Sequence, residues 1–263
     1  HAIVMNYAVA ASFGFAYAGN GPISILAPSR PWLGIAVFVG ILFISLFYLM
    51  ARTTQIPGVS VTGIASKMSL VIPVLFFILW DPEEVATVTK MGGIAFGILG
   101  IVLASSSKSS GSPGGKVNFM PMVLFLGSGL LDLLLAFTEK RYLLEASEYR
   151  DFVPIPFMIA GLIGLPIMAY PILQGRTRFE MKSVLAGLIL GLINYGSIFF
   201  LLKVLGMGIL DRSTVIPINN IGVVLGSALV GLVLFRETKG TAKILGILFS
   251  VISILLLSSS LFS

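Results

Sequence analysis

A chain of 263 residues in which 57% are hydrophobic and 11% charged, with a mean hydropathy of +1.03, has too little polar surface to cover itself in water as soluble domains. It reads as an all-α, polytopic membrane protein. The +6 formal charge does not point to nucleic acid, since the 17 Lys and Arg are scattered between apolar segments, and zero cysteines with one terminal histidine, His1, leave no thiolate metal site, His-based zinc site or catalytic triad to expect.

Nine apolar runs are long enough to cross a hydrocarbon core: roughly 3–19, 32–50, 59–79, 91–107, 119–142, 152–173, 183–204, 213–235 and 242–260. Each is expected to be helical, because an unpaired backbone group in lipid costs several kcal/mol and only a helix satisfies its own. The first span lacks a positively charged flank and a cleavage site, so it does not read as a signal peptide. The second carries Tyr48. In the third, Thr62, Ser66 and Ser69 fall at i, i+4 and i+7 and make one polar stripe with Lys67 at its edge. Lys67 lies about 12 Å along that helix at 1.5 Å per residue, where a charge costs roughly 2.5 to 3.5 kcal/mol and is expected to face a cavity or a partner. Pro73, lacking an amide donor, predicts a kink in mid-helix.

Glu84 stands near the start of the fourth span, where helix capping is the simplest role for a carboxylate. Gly93 and Gly97, one turn apart, suit close helix approach, as do Gly187 with Gly191 and Gly222 with Gly226. The stretch 105–117, SSSKSSGSPGGKV, ends the fourth span and continues as a linker. In the fifth span Asp132 is the only carboxylate far from either end, with Ser128 one turn before it. It is expected either to pair with Lys67 or to take up a proton or a substrate amine. The seventh span offers Asn194, Tyr195 and Ser197. The eighth offers Asn219 and Asn220, with Pro217 near its start.

The last four spans repeat the first four. An offset of 153 residues pairs Glu84 with Glu237, Lys90 with Lys243, Gly93 with Gly246, Phe96 with Phe249 and Ile101 with Ile254, and one residue less pairs Ile41 with Ile193 and Phe47 with Phe199. The same register sets Ser66 and Lys67 against Asn219 and Asn220. Equivalent positions in two inverted halves meet near a midplane, so these residues are the best candidates for a shared site, with Asp132, Asn194 and Tyr195 beside them. The fifth span has no counterpart. The halves are then 1–107 and 119–263, joined by a Gly/Ser-rich linker at 108–118.

The twice-repeated pattern of a Pro-containing helix, an acidic residue and a Gly-containing final helix, at 72–104 and 216–257, resembles the EamA-type domain. That domain occurs twice in ten-helix carriers of the drug/metabolite transporter superfamily. The resemblance implies an inverted five-plus-five repeat around a central cavity, moving small metabolites or drugs. It also implies that four spans before the linker are one short of a full domain; with no initiator Met before His1, absence of the first helix of ten accounts for both.

A secondary carrier explains the duplication and the intramembrane Lys67 and Asp132. The alternative is an integral membrane enzyme or a structural membrane protein without transport, but no HExxH and no aspartate-rich metal motif is present. A channel would need a charged ring or filter, and none is evident. No phosphate-binding loop appears either, so an ion gradient or exchange, with a proton as one candidate, would drive transport. No enzymatic activity, cofactor, metal or nucleic acid is expected. The expected partners are a small-molecule substrate and the bilayer, the expected state a monomer or homodimer, and the expected location a bacterial inner membrane. Basic residues divide nine against seven between the two sets of loop ends, a margin too thin to orient the chain.

Overall fold

The computed structural model describes residues 2–19, 30–56, 58–80, 86–106, 119–143, 146–175, 181–207, 212–236 and 240–259. Helices occupy almost all of them, with no strand among the described residues. They are α1 (Ala2–Ala18), α2 (Leu33–Gln55), α3 (Val59–Met68), α4 (Val71–Trp80), α5 (Val88–Ser106), α6 (Met120–Tyr142), α7 (Ala146–Phe152), α8 (Pro154–Leu173), α9 (Met181–Met207), α10 (Arg212–Val233) and α11 (Thr241–Ser259). Leu33–Gln55, Val59–Trp80, Met120–Glu139 and Glu148–Tyr170 are long and apolar enough to cross a membrane, and five shorter apolar helices accompany them among the described residues. Their outward faces are apolar: Leu162, Ile167, Ile189 and Ile193 are all more than half exposed, a surface suited to lipid rather than water. The chain is an all-helical membrane protein. Glu84, Glu237 and the linker at 108–118 lie outside the described residues.

Two compact units divide the chain: His1–Tyr48 with Leu134–Gly206, and Leu49–Leu133 with Met207–Ser263. Neither unit is a sequence half. Each draws helices from both halves, because repeat-equivalent helices pack against each other. In the second unit α5 packs along α11. A Cβ on Gly93 would meet Leu257, one on Gly97 would meet Ser253, and one on Gly100 would meet Ser250. Rising numbers on α5 against falling numbers on α11 make the pair antiparallel. With the 153-residue register, Gly97 on Ser253 and Gly100 on Ser250 are the same contact seen from either side. Phe96 and Phe249, repeat partners, meet edge to face at 5.4 Å between ring centroids. These self-complementary contacts are what a local two-fold axis between equivalent helices produces. Ser253 Oγ closes the seam by donating to the Gly93 carbonyl at 2.6 Å.

Lys90 and Lys243, also repeat partners, are both buried. Each lies in the first turn of its helix, where the antiparallel arrangement sets the carbonyl end of the neighbouring helix alongside, the end that favours a cation.

The first unit repeats the theme. Along α1 and α8, Val4 meets Gly164, Tyr7 meets Gly161 and Gly14 meets Pro154, again antiparallel. A Cβ on Gly40 of α2 would stand 2.6 Å from Ile159 Cβ and 2.8 Å from the Pro156 carbonyl oxygen; one on Gly191 of α9 would stand 2.8 Å from Val9 Cβ and 2.7 Å from the Asn6 carbonyl oxygen. The two glycines therefore hold matching places, within one residue of the register read from sequence. Tyr7 anchors this unit's core among Phe43, Phe47 and Phe157, and its hydroxyl donates to the Phe43 carbonyl at 2.7 Å. At one end, Arg30 pairs with Asp151 at 3.0 Å and lies over the Trp32 ring at 5.9 Å.

Candidate functional site

The third span is broken where the sequence places its polar residues. α3 ends at Met68 and α4 begins at Val71, with Ser69 and Leu70 between them. Pro73 is the cause. Its nitrogen carries no hydrogen, so the Ser69 carbonyl loses its partner four residues on and takes the Ile72 amide at 2.9 Å instead, a tighter turn. The sequence predicts a kink at Pro73; the break lies one turn earlier, because the orphaned carbonyl belongs to residue i−4. Its repeat equivalent, α10, runs unbroken from Arg212 to Val233.

Most of the hydroxyl stripe bonds back to its own helix. Thr62 Oγ1 donates to the Gly58 carbonyl at 2.8 Å and Ser66 Oγ to the Gly63 carbonyl at 3.2 Å. Ser69 differs. It is fully buried, and its Oγ lies 2.6 Å from the Ser66 carbonyl and 2.8 Å from Asp132 Oδ2 on α6. One hydroxyl hydrogen cannot serve two acceptors well. An ionised Asp132 competes with the Ser66 carbonyl for it, whereas a protonated Asp132 donates to Ser69 and leaves the serine hydrogen for Ser66. The state of the carboxylate is thus tied to the hydrogen bonding at the helix break.

Lys67, two residues before Ser69, is half-buried, and its ammonium acts on the Asp132 carboxylate through space. Ser128 is buried one turn before Asp132 on α6. The α3 helix packs on α10, and Gly63 faces Ser227 with no room for a Cβ. Asn220 on α10 is buried, whereas Asn219 beside it is exposed. The second unit therefore contains Ser66, Lys67, Asp132, Asn219 and Asn220, and Ser69 bonds two of them, the Ser66 carbonyl and the Asp132 carboxylate.

Asn194 and Tyr195 belong to the first unit. The Asn194 amide donates to Asn6 Oδ1 at 3.2 Å, tying α9 to α1. Tyr195 is half-buried with its ring 6.3 Å from that of Phe13. Ser197 is exposed and bonds the Asn194 carbonyl at 2.8 Å, and Tyr48 is 56% exposed. Asn6, fully buried, was not singled out by the sequence, although a lone amide in the middle of α1 is the signal that marks it. Ser69 stood in the stripe without a partner, since nothing local to α3 reveals α6 as its neighbour.

No family model matches the chain. A Haemophilus influenzae protein named only as uncharacterized is similar at 25% identity over 224 residues, 84% of this chain and 73% of that protein.

Proposed function

We propose that the chain is a secondary carrier of the drug/metabolite transporter type, moving a small polar or amphipathic metabolite or drug across a bacterial inner membrane by alternating access. One observation carries this reading: a carboxylate, a hydroxyl and an ammonium, Asp132, Ser69 and Lys67, gather at a broken helix inside apolar segments. Helix breaks at membrane depth supply backbone and side-chain groups to a solute while the rest of the span stays apolar. Antiparallel packing of repeat-equivalent helices supports the same reading, because two inverted halves exchange environments when one rocks against the other. The similarity to a bacterial protein fits the location.

Ser69 and Asp132 give the carrier a means of coupling. Proton arrival at Asp132 frees the Ser69 hydrogen for Ser66, and proton loss draws it back to the carboxylate. Solute binding that alters the break therefore alters the affinity for the proton, and the reverse holds by linkage.

The test is flux in sealed proteoliposomes with candidate metabolites pre-selected by thermal shift, where a ligand at about a hundred times its dissociation constant adds about 2.7 kcal/mol of stability. Saturable uptake with counterflow is expected. Linear, non-saturating flux or chemical conversion of the solute would remove the carrier reading.

A further inference from the structure

Two seams of the first unit are built alike and filled differently. In one, Gly40 of α2 faces the Pro156 carbonyl and Ile159 of α8; in the other, Gly191 of α9 faces the Asn6 carbonyl and Val9 of α1. Three residues beyond Gly40, Phe43 stacks on Phe157 at 5.2 Å between ring centroids, so that seam is closed by aromatic rings. Three residues beyond Gly191 stands Asn194, whose amide donates to Asn6 Oδ1 at 3.2 Å. Asn6 is fully buried, and its own Nδ2 has no hydrogen-bond partner among the described residues. An amide nitrogen carries two donors, and leaving them unmade in an apolar interior is costly.

The rest of the α1–α9 seam is aromatic and partly open. Asn6, Phe13 and Tyr17 fall at i, i+7 and i+11 on one face of α1. The Phe13 ring lies 6.3 Å from that of Tyr195, and a Cβ on Gly14 would stand 3.3 Å from Tyr195 Cε2. Phe13 and Tyr17 are 50% and 55% exposed. α1 carries no charged residue, and the charged residues of α9, Lys182 and Lys203, stand more than two helical turns from Asn194. An ionised ligand group entering this seam would lose its hydration without gaining a counter-ion. A neutral oxygen loses far less and meets a donor that lacks a partner.

We infer that the α1–α9 seam binds an uncharged carbonyl or carboxamide group carried on an aromatic or alkyl body. The oxygen accepts from Asn6 Nδ2, and the body rests against Phe13, Tyr17 and Tyr195. Entry is past Asn194, which is half-buried and whose bond to Asn6 has to open. The inference goes beyond the carrier reading, whose Asp132 and Lys67 belong to the other unit, and it concerns binding whether or not the solute is moved.

The test is a fluorine NMR titration of the purified protein in ether-linked lipid with para-fluorobenzamide, and with para-fluorobenzoate and para-fluorobenzylamine as charged counterparts. Saturable binding of the amide is expected, at least about tenfold tighter than either ion. Asn6→Leu is compared alone and together with Asn194→Leu. The double variant removes both partners and keeps the seam apolar, which spares the fold, so whichever variant folds reads the affinity. A loss of about tenfold is expected, the upper end for a neutral hydrogen bond, while Ser69→Ala in the other unit changes nothing. No saturable amide binding up to tens of millimolar, equal binding of the benzoate, or unchanged affinity in the variants overturns the inference. The affinity is expected to be the same in ester-linked lipid; displacement of the probe there would give the seam to a lipid carbonyl and overturns the solute. The titration needs no gradient, so it can fail while the carrier reading stands, and the reverse.

Discussion

The α3–α4 segment and α10 are the same piece of sequence used twice, and they have become opposites. One is broken, buried at Ser69 and met by α6; the other is continuous and carries Gly222 and Gly226, where an added Cβ meets nothing within 4 Å among the described residues. The proline accounts for the break and α6 for the contact. Pro73 falls mid-span and orphans the Ser69 carbonyl, whereas Pro217 falls near the start of α10, where the missing donor matters less. What the difference teaches is that the repeat supplied the scaffold, while α6, which has no repeat mate, supplied the carboxylate Asp132 that bonds Ser69.

The largest expected effect comes from removing the group that one region has and the other lacks. Asp132→Asn removes the charged acceptor of the Ser69 hydroxyl and is expected to lower stability by about 3 kcal/mol, the upper end for a hydrogen bond to a charged group, seen as lost expression and a lowered melting temperature. Adding Lys67→Met is expected to restore expression without gradient-driven uptake. Uptake that returns in the double variant would confine Asp132 to a structural role.

Next is Ser69→Ala, which removes a hydroxyl bonded to a carboxylate and is expected to lower stability by about 1.5 to 3 kcal/mol. Alanine at Ser66, whose hydroxyl only bonds back to its own helix, should change the melting temperature far less. Equal effects at the two serines would dissolve the distinction drawn between them.

The contrast in packing can be broken by one matched pair. Gly97→Leu drives a side chain into Val71 and Ser253, which lie 2.7 and 2.9 Å from its Cβ position, and is expected to lower stability by about 1 to 3 kcal/mol. Gly226→Leu meets nothing within 4 Å of its Cβ among the described residues and is expected to raise helix stability by up to about 1 kcal/mol. Thermal melts of the two in the same detergent decide it.

The smallest expected change is Pro73→Ala. It returns a donor to the Ser69 carbonyl and makes α3 and α4 resemble α10, a gain of about 1 kcal/mol in stability. Slower hydrogen exchange at residues 69–74 and slower solute uptake would accompany it.

Much of the architecture was legible because a period written into the sequence survives in the packing. Phe96 and Phe249, matched by sliding the chain on itself, are found ring to ring. Apolar runs gave the helices because a continuous apolar segment in lipid pairs its own backbone groups only as a helix. The site was only partly legible. A carboxylate and an ammonium within apolar spans announce themselves by their cost, so Lys67 and Asp132 stand out in the sequence as candidates. Their link through Ser69 could not, because it joins residues 63 positions apart. Asn194 was read as a site residue, yet its amide is bonded to Asn6, a use that depends on which helix lies beside α9. The glycine pairs looked identical in sequence and differ in their neighbours, which no local pattern encodes.

The lone α6 has a consequence that is a matter of parity. A chain that crosses a bilayer an even number of times returns to the side it left, so a four-helix block copied directly behind itself would lie in the same orientation as the original. Between the start of α1 and the start of α8 lie α1, α2, the broken α3–α4, α5 and α6, an odd number of apolar helical stretches among the described residues, each of which crosses the bilayer in the proposed carrier. In that carrier the unmatched helix turns the second copy over, and one extra crossing of this kind accounts for the antiparallel meeting of α1 with α8 and of α5 with α11.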